Sequence, residues 1–138
     1  MRTYLYVSLT HWGEVMSLSV LVLEDEPLIA LDIEETLKSS GFEIAAVLNS
    51  CEAAVEWLAA GSPDVAILDI SLKDGACDNV ARMLDDRKIP FVVHSGGIQS
   101  GEHHHPIFLE GQWVTKPALP GDLVNAIHTS MTRKTASE

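Results

Sequence analysis

The sequence predicts an α/β fold, a doubly wound five-stranded parallel sheet, on three observations. Five short apolar runs alternate with segments whose apolar residues recur at helical spacing. The first run, Leu18 to Leu23, is apolar almost throughout, as a strand buried on both faces requires. Polar and charged residues gather just after the runs, at what would be the same end of every strand. Repeated strand–helix alternation calls for right-handed crossovers and parallel pairing.

The elements follow in order. After the Leu18–Leu23 strand, Pro27 sits where a first helical turn accepts proline. Ile29, Ile33 and Leu37 continue at helical spacing, with Leu28 and Leu31 widening the stripe, and Gly41 ends the helix. Ile44 to Leu48 make the second strand. Ser50 is the N-cap expected for a helix carrying Val55, Leu58 and Ala59, which stops at Gly61. Val65 to Leu68 is the third strand and runs into Asp69. Val80, Ala81 and Leu84 mark a third helix, and Phe91, Val92 and Val93 a fourth strand. Trp113, Val114 and Thr115 form a short fifth. Leu123, Val124 and Ile127 mark the last helix, with Pro120 near its start. Between Ser95 and Gln112, the three glycines Gly96, Gly97 and Gly101 and the proline Pro106 of the 96–106 stretch oppose a stable helix, so the fourth helix is expected to be short or missing. A loop of that length in a compact domain is often functional.

The 138 residues suit one domain, expected over 16–131, with a polar tail at 132–138 and a loose extension at 1–15. The extension holds Tyr4, Tyr6 and Trp12 without a clear period; a β-like docking arm at Tyr4 to Val7 is the sharper reading. Only eleven mostly polar residues follow Ile127, so no effector domain is expected. Hydrophobic residues make up 46% of the chain and exclude disorder. The net charge of −11 disfavours nucleic acid and anionic membrane as partners. The longest apolar stretch, Val15 to Leu23, is about nine residues against the roughly 20 of a membrane span, and no signal peptide is evident, which makes the cytoplasm the expected location. Cys51 and Cys77 fit no disulfide framework and no zinc spacing; they are read as reduced thiols, small and partly buried.

Ligands of parallel α/β sheets sit at the carboxyl ends of the strands. There the sequence places Glu24, Asp25 and Glu26 after the first strand, Asp69 after the third, His94 and Ser95 after the fourth, and Lys116 with Pro117 after the fifth. Two or three converging carboxylates repel one another unless a hard divalent cation such as Mg²⁺ sits among them. Lys116 adds a fixed positive charge and Ser95 a hydroxyl donor. This kit suits phosphoryl transfer to an aspartate. Each acid taken singly reads more readily as a cap or turn former; the ordered set at one end of the strands is what is specific.

Four motifs carry a family resemblance: V-L-V-L-E-D-E-P (20–27), D-V-A-I-L-D-I-S-L-K-D-G (64–75), P-F-V-V-H-S-G-G (90–97) and W-V-T-K-P (113–117). Through them residues 18–131 resemble the receiver domain of bacterial two-component response regulators, with its flavodoxin-like (βα)₅ fold. The resemblance implies Asp69 as phospho-acceptor. It implies Asp25 as a direct Mg²⁺ ligand with Glu24 acting largely through water, and the Ser71 backbone carbonyl as a further ligand. Ser95 becomes the switch hydroxyl and Lys116 the active-site lysine, with a cis bond to Pro117. Trp113 falls where many receivers place a rotating aromatic switch; a half-buried edge-strand aromatic is the other reading. Lys73 replaces the family's usual proline, and the Gly/His loop replaces its fourth helix. These departures resemble alphaproteobacterial single-domain receivers with a Phe-Ala-Thr-Gly type motif, although Val93, His94, Ser95 and Gly96 stand in its place. They also weaken the usual face for a homodimer, which stays open.

The implied partners are a sensor histidine kinase or histidine phosphotransferase and a downstream protein target, with no turnover of an external substrate. A receiver-like adaptor that is not phosphorylated is the alternative. A haloacid-dehalogenase-type phosphatase would need a second Asp where Ser71 stands, and the acidic Glu24–Pro27 turn is wrong for cradling a nucleotide phosphate. His103, His104 and His105 fit a solvated loop better than a metal site, since adjacent histidines in a loop rarely point the same way. His94 is either a satisfied strand-end residue or a neighbour that feels the chemistry at Ser95.

Overall fold

A computed structural model describes residues 17–96 and 105–136. The expectations for residues 1–15 and for His103 and His104 lie outside the described residues. The elements are β1 (Ser19–Leu23), α1 (Pro27–Ser39), β2 (Glu43–Leu48), α2 (Cys51–Ala60), β3 (Val65–Leu68), α3 (Asp78–Asp86), β4 (Phe91–Ser95), a 3₁₀ helix (Pro106–Glu110), β5 (Gln112–Thr115) and α4 (Pro120–Ala136). The strands form one sheet in the order β2-β1-β3-β4-β5, and all four pairings are parallel. The expected five-stranded doubly wound sheet is therefore present. α4 runs on into the segment expected to be a polar tail.

Strand pleating divides the core into two. Leu21, Leu23, Ala66, Leu68, Phe91 and Val93 face α2 and α3, whose Ala54, Leu58, Val80, Ala81 and Leu84 close that layer. Val20, Val22, Val65, Ile67 and Val92 face the other way, onto Ile33 and Leu37 of α1 and Leu123, Ile127 and Met131 of α4. β1 and β3 are buried almost throughout, which explains their unbroken apolar runs. The capping signals are realised where they matter. The Ser50 hydroxyl accepts from the Ala53 N–H at 3.1 Å. At the end of α1, Gly41 takes φ +90°, and the Phe42 N–H then reaches the Leu37 carbonyl at 2.9 Å.

Where a short or missing fourth helix was expected, the described part of the connection holds a single 3₁₀ helix. His105 caps it, its Nδ1 accepting from the Ile107 N–H at 3.1 Å. The segment's packing role falls on Phe108, which is fully buried against the α2–α3 layer. Gly111 then brings the chain under Phe91, so closely that an added Cβ would overlap the Phe91 ring and lie 2.9 Å from its carbonyl oxygen.

The cysteines correct the sequence reading. Cys51 and Cys77 are not reduced thiols but a disulfide, with Cα atoms 5.2 Å apart. Cys51 opens α2 and Cys77 immediately precedes α3. The two helices pack on one face of the sheet, so their N-termini meet at its carboxyl edge. A separation of 26 positions carries no signal of that meeting.

Gly111→Ala should lower stability by roughly 1–3 kcal/mol, because neither the Phe91 ring nor its backbone can yield inside a packed layer. Chemical denaturation of the two proteins measures this as a lower midpoint at unchanged slope.

Candidate functional site

The order β2-β1-β3 reverses the winding direction at β1, and the crevice outside the carboxyl ends of β1 and β3 is where such sheets bind ligands. Glu24 and Asp25 leave β1 there. Asp69 leaves β3, its N–H donating to the Leu23 carbonyl at 3.1 Å, which ties the two strand ends together. Ser95 ends β4, and its carbonyl accepts from the Lys116 N–H at 2.9 Å. Lys116 follows β5, and its bond to Pro117 is cis.

The Lys116 ammonium joins these ends. Its Nζ lies 2.9 Å from Glu24 Oε1 and 3.0 Å from Asp69 Oδ2. Glu24 and Asp69 are each only 2% exposed. The remaining carboxylate oxygens are held by backbone: Ser71 N–H donates to Asp69 Oδ1 at 2.8 Å, and Glu26 N–H to Glu24 Oε2 at 3.2 Å. Burial pushes the Glu24 carboxyl above its ordinary range, against the pull of Lys116. Burial also acts to lower Lys116, but the hydrogen bonds and charges of Glu24 and Asp69 outweigh it and hold the ammonium above its usual value.

Glu24, the half-buried Asp25 and Asp69 each offer an oxygen, and these oxygens all lie within 4.8 Å of one another. Donors on opposite sides of an octahedral Mg²⁺ stand about 4.2 Å apart, given bonds of about 2.1 Å, so the cluster has the dimensions of a hard-cation site. Its charge fits too: one ammonium leaves three carboxylates short of neutral. Ser71, offered by the resemblance through its carbonyl, lies beside Asp69 at the rim. Ser95 is buried beside the group.

Trp113 is half-buried, and its Nε1 donates to the Phe108 carbonyl at 2.9 Å. The indole is thus fastened to the 3₁₀ helix rather than to the charged cluster. His105 is exposed, its Nε2 2.8 Å from an Arg82 guanidinium nitrogen; it belongs to neither group of potential metal ligands among the described residues. Asp74 was passed over in the sequence. Its carboxylate accepts from the Cys51 and Glu52 N–H groups at 2.8 and 3.1 Å, capping α2 from a distant loop, and these bonds lower its pKa. The Asp74-Gly75 pair signals a turn but not its partner.

His94 is buried with neither ring nitrogen hydrogen-bonded. Burial, reinforced by the Lys116 charge, pushes its pKa from 6.5 down to about 4, against the opposing pull of Asp69 and Asp32. It lines a cleft of about 450 Å³ with Leu28, Ile29, Lys116, Pro117 and Leu123. Between these pKa values the unfolded chain binds the proton and the folded chain does not, so stability falls as pH falls through this window. The wild type should lose about 3 kcal/mol between pH 6.5 and 4 from this group alone. His94→Leu should flatten that part of the profile; urea titrations across the range, compared for both proteins, measure it.

Similarity to known proteins agrees with this geometry. The family model of the response regulator receiver domain matches residues 20–128. The phyllosphere-induced regulator PhyR of Methylorubrum extorquens is 28% identical over 122 residues, which are 84% of this chain and 44% of that protein. The transcriptional regulatory protein PdtaR of Mycobacterium tuberculosis is 30% identical over 117 residues, 83% of this chain and 57% of that protein. The chain thus spans about half the length of these curated relatives. Among solved structures, SdrG from Sphingomonas melonis Fr1 superposes with a TM-score of 0.71 at 29% identity, covering 83% of this chain and 97% of that one. Its BeF₃-activated conformation superposes at 0.69 and the same identity. The family match runs from the second residue of β1 to the middle of α4 and takes in every strand of the sheet and every member of the charged cluster: the chain belongs to the response regulator receiver domains.

Proposed function

We propose that this chain accepts a phosphoryl group on Asp69 from a partner's phosphohistidine and passes the signal on by protein contact. The observation that carries the reading is the buried Lys116–Asp69–Glu24 group with Asp25 at metal-binding distance. A carboxylate oxygen of Asp69 attacks phosphorus, the P–N bond breaks, and the imidazole nitrogen leaves with the electron pair and takes up a proton. Lys116, already on Asp69 Oδ2, is placed to hold a phosphoryl oxygen; the Ser95 hydroxyl can donate to another. Glu24, Asp25, Asp69 and the Ser71 carbonyl would hold Mg²⁺, which when bound neutralises charge on the transferring group. The chain would change state once per phosphorylation rather than turn over an external substrate.

Leu28, 81% exposed, lines the cleft beside Lys116 with Ile29 and Pro117 and would give an approaching partner an apolar footing. The path outward would run through Ser95 and β5. Trp113 links β5 to the 3₁₀ helix, so a shift at Ser95 has a mechanical route to the surface around Phe108 and His105. That SdrG has a BeF₃-activated conformation supports the phosphoryl-acceptor reading, since BeF₃ mimics a phosphoryl group.

Incubation with acetyl phosphate and Mg²⁺ should add one phosphoryl mass to the wild type and none to Asp69→Asn, as read by intact-mass spectrometry. A label retained on the variant would refute Asp69 as acceptor. Failure of the wild type with a panel of histidine kinases as well would move the adaptor reading to first place. Asp25→Asn should weaken Mg²⁺ binding about tenfold or more without unfolding the chain, measured by titration calorimetry.

A further inference from the structure

Between Asp69 and α3 the chain crosses the rim of the site in one loop, Ile70 to Cys77, that carries three kinds of anchor. Near Asp69, the Ser71 N–H is bound to the acceptor carboxylate and Leu72 bridges to Gly75. In the middle, Asp74 caps α2 through Cys51 and Glu52. At the far end, the disulfide joins Cys77 to the first residue of α2. The last anchor holds an unfavourable conformation. Cys77 sits in the left-handed region at φ 63°, where L side chains are disfavoured, and it gives α3 no side-chain cap. Gly75, two residues earlier, is also left-handed at φ 128°.

We propose that Cys51–Cys77 is a reversible thiol–disulfide exchange site whose redox state sets the mobility of the Ile70–Cys77 loop, and through it the rate at which Asp69 is phosphorylated. The second half rests on the phosphoryl-acceptor reading above; the first does not. A dithiol reductant supplies the electrons. Its thiolate attacks one sulfur, the Cys51–Cys77 bond breaks, and a mixed disulfide forms. The reductant's second thiol then displaces the remaining cysteine. The reductant leaves as its own disulfide, and two protons and two electrons end on Cys51 and Cys77.

The surroundings suit both states. The cysteines are buried, with the carboxylate of the exposed Asp74 within 4.8 Å of the sulfurs and the carbonyl of the exposed Gly75 beside Cys51, and outward movement of this turn would open the bond to attack. Cys51 stands at a helix N-terminus, where a departing thiolate is stabilised. As a thiol it has an acceptor ready, the Gly75 carbonyl 3.6 Å from its sulfur. Reduction leaves the Asp74 cap in place and removes only the link that pins Cys77. The oxidised form therefore keeps Asp69 and Ser71 preorganised, while the reduced form must order the loop before reacting.

The test uses the full chain equilibrated in glutathione buffers or with a reduced thioredoxin-type dithiol, under native conditions. Alkylation and intact mass should count zero modified cysteines in the oxidised form and two in the reduced, reversibly. Hydrogen exchange of the Ile70–Cys77 amides should be about tenfold faster in the reduced form. Acetyl phosphate labelling of Asp69 should be several-fold slower there. The Cys51→Ser/Cys77→Ser double variant should behave as the reduced form at every redox setting. A disulfide that resists the dithiol under native conditions, or loop exchange equal in the two states, would overturn the proposal. Equal labelling rates would overturn the gating of phosphorylation. Should neither form be labelled, the acceptor reading fails, and loop exchange alone decides whether the disulfide is a switch.

Discussion

The ammonium of Lys116 between Glu24 and Asp69 is the constraint around which the rest of the molecule is arranged. Two carboxylates almost out of water would repel each other strongly, and either one would tend to take up a proton. A single lysine at 2.9 and 3.0 Å makes the pair tolerable, but only if the ends of β1, β3 and β5 are held in register. The sheet does this with backbone alone. Asp69 is tied to Leu23, and Lys116 to the end of β4. Such a buried group is weak as a source of stability, since its desolvation consumes much of its attraction. Its value lies in arrangement: the carboxylates are held close together and short of positive charge.

The two core layers divide the work around that cluster. The layer under α1 and α4 reaches the site through His94 and the cleft beside Lys116, which the exposed Leu28 lines. The layer under α2 and α3 reaches it through the Ile70–Cys77 loop, which starts at Asp69 and ends at the disulfide. Phe108 fills this second layer from the connection that replaces the usual helix, so the 3₁₀ segment is part of the core despite its length. Its indole bond from Trp113 makes that segment a neighbour of β5. Contacts thus join the carboxyl edge to α1 on one side and, through β5 and Trp113, to the 3₁₀ helix on the other.

Much of this was legible in the chain. Period and run length place the five strands, Ser50 and Gly41 mark helix ends, and the carboxyl-end rule puts Glu24, Asp25, Asp69, Ser95 and Lys116 on one edge. These are local properties: an apolar run, a cap or a proline acts over a few residues and can be read there. The gap between β4 and β5 was harder, because Pro and Gly exclude a regular helix without saying what fills the space.

What the tertiary structure alone decided are the pairings across long separations. The disulfide, the Asp74 cap on α2, the unpartnered imidazole of His94 and the seat of Phe91 over Gly111 each depend on where two crossovers deliver their ends. Sequence determined which residues could be strands, helices and charged strand ends, because those choices follow from side-chain chemistry and spacing. Which cysteine meets which, and which carboxylate Lys116 touches, follows from sheet order and helix packing, and neither is written in any short stretch of the chain.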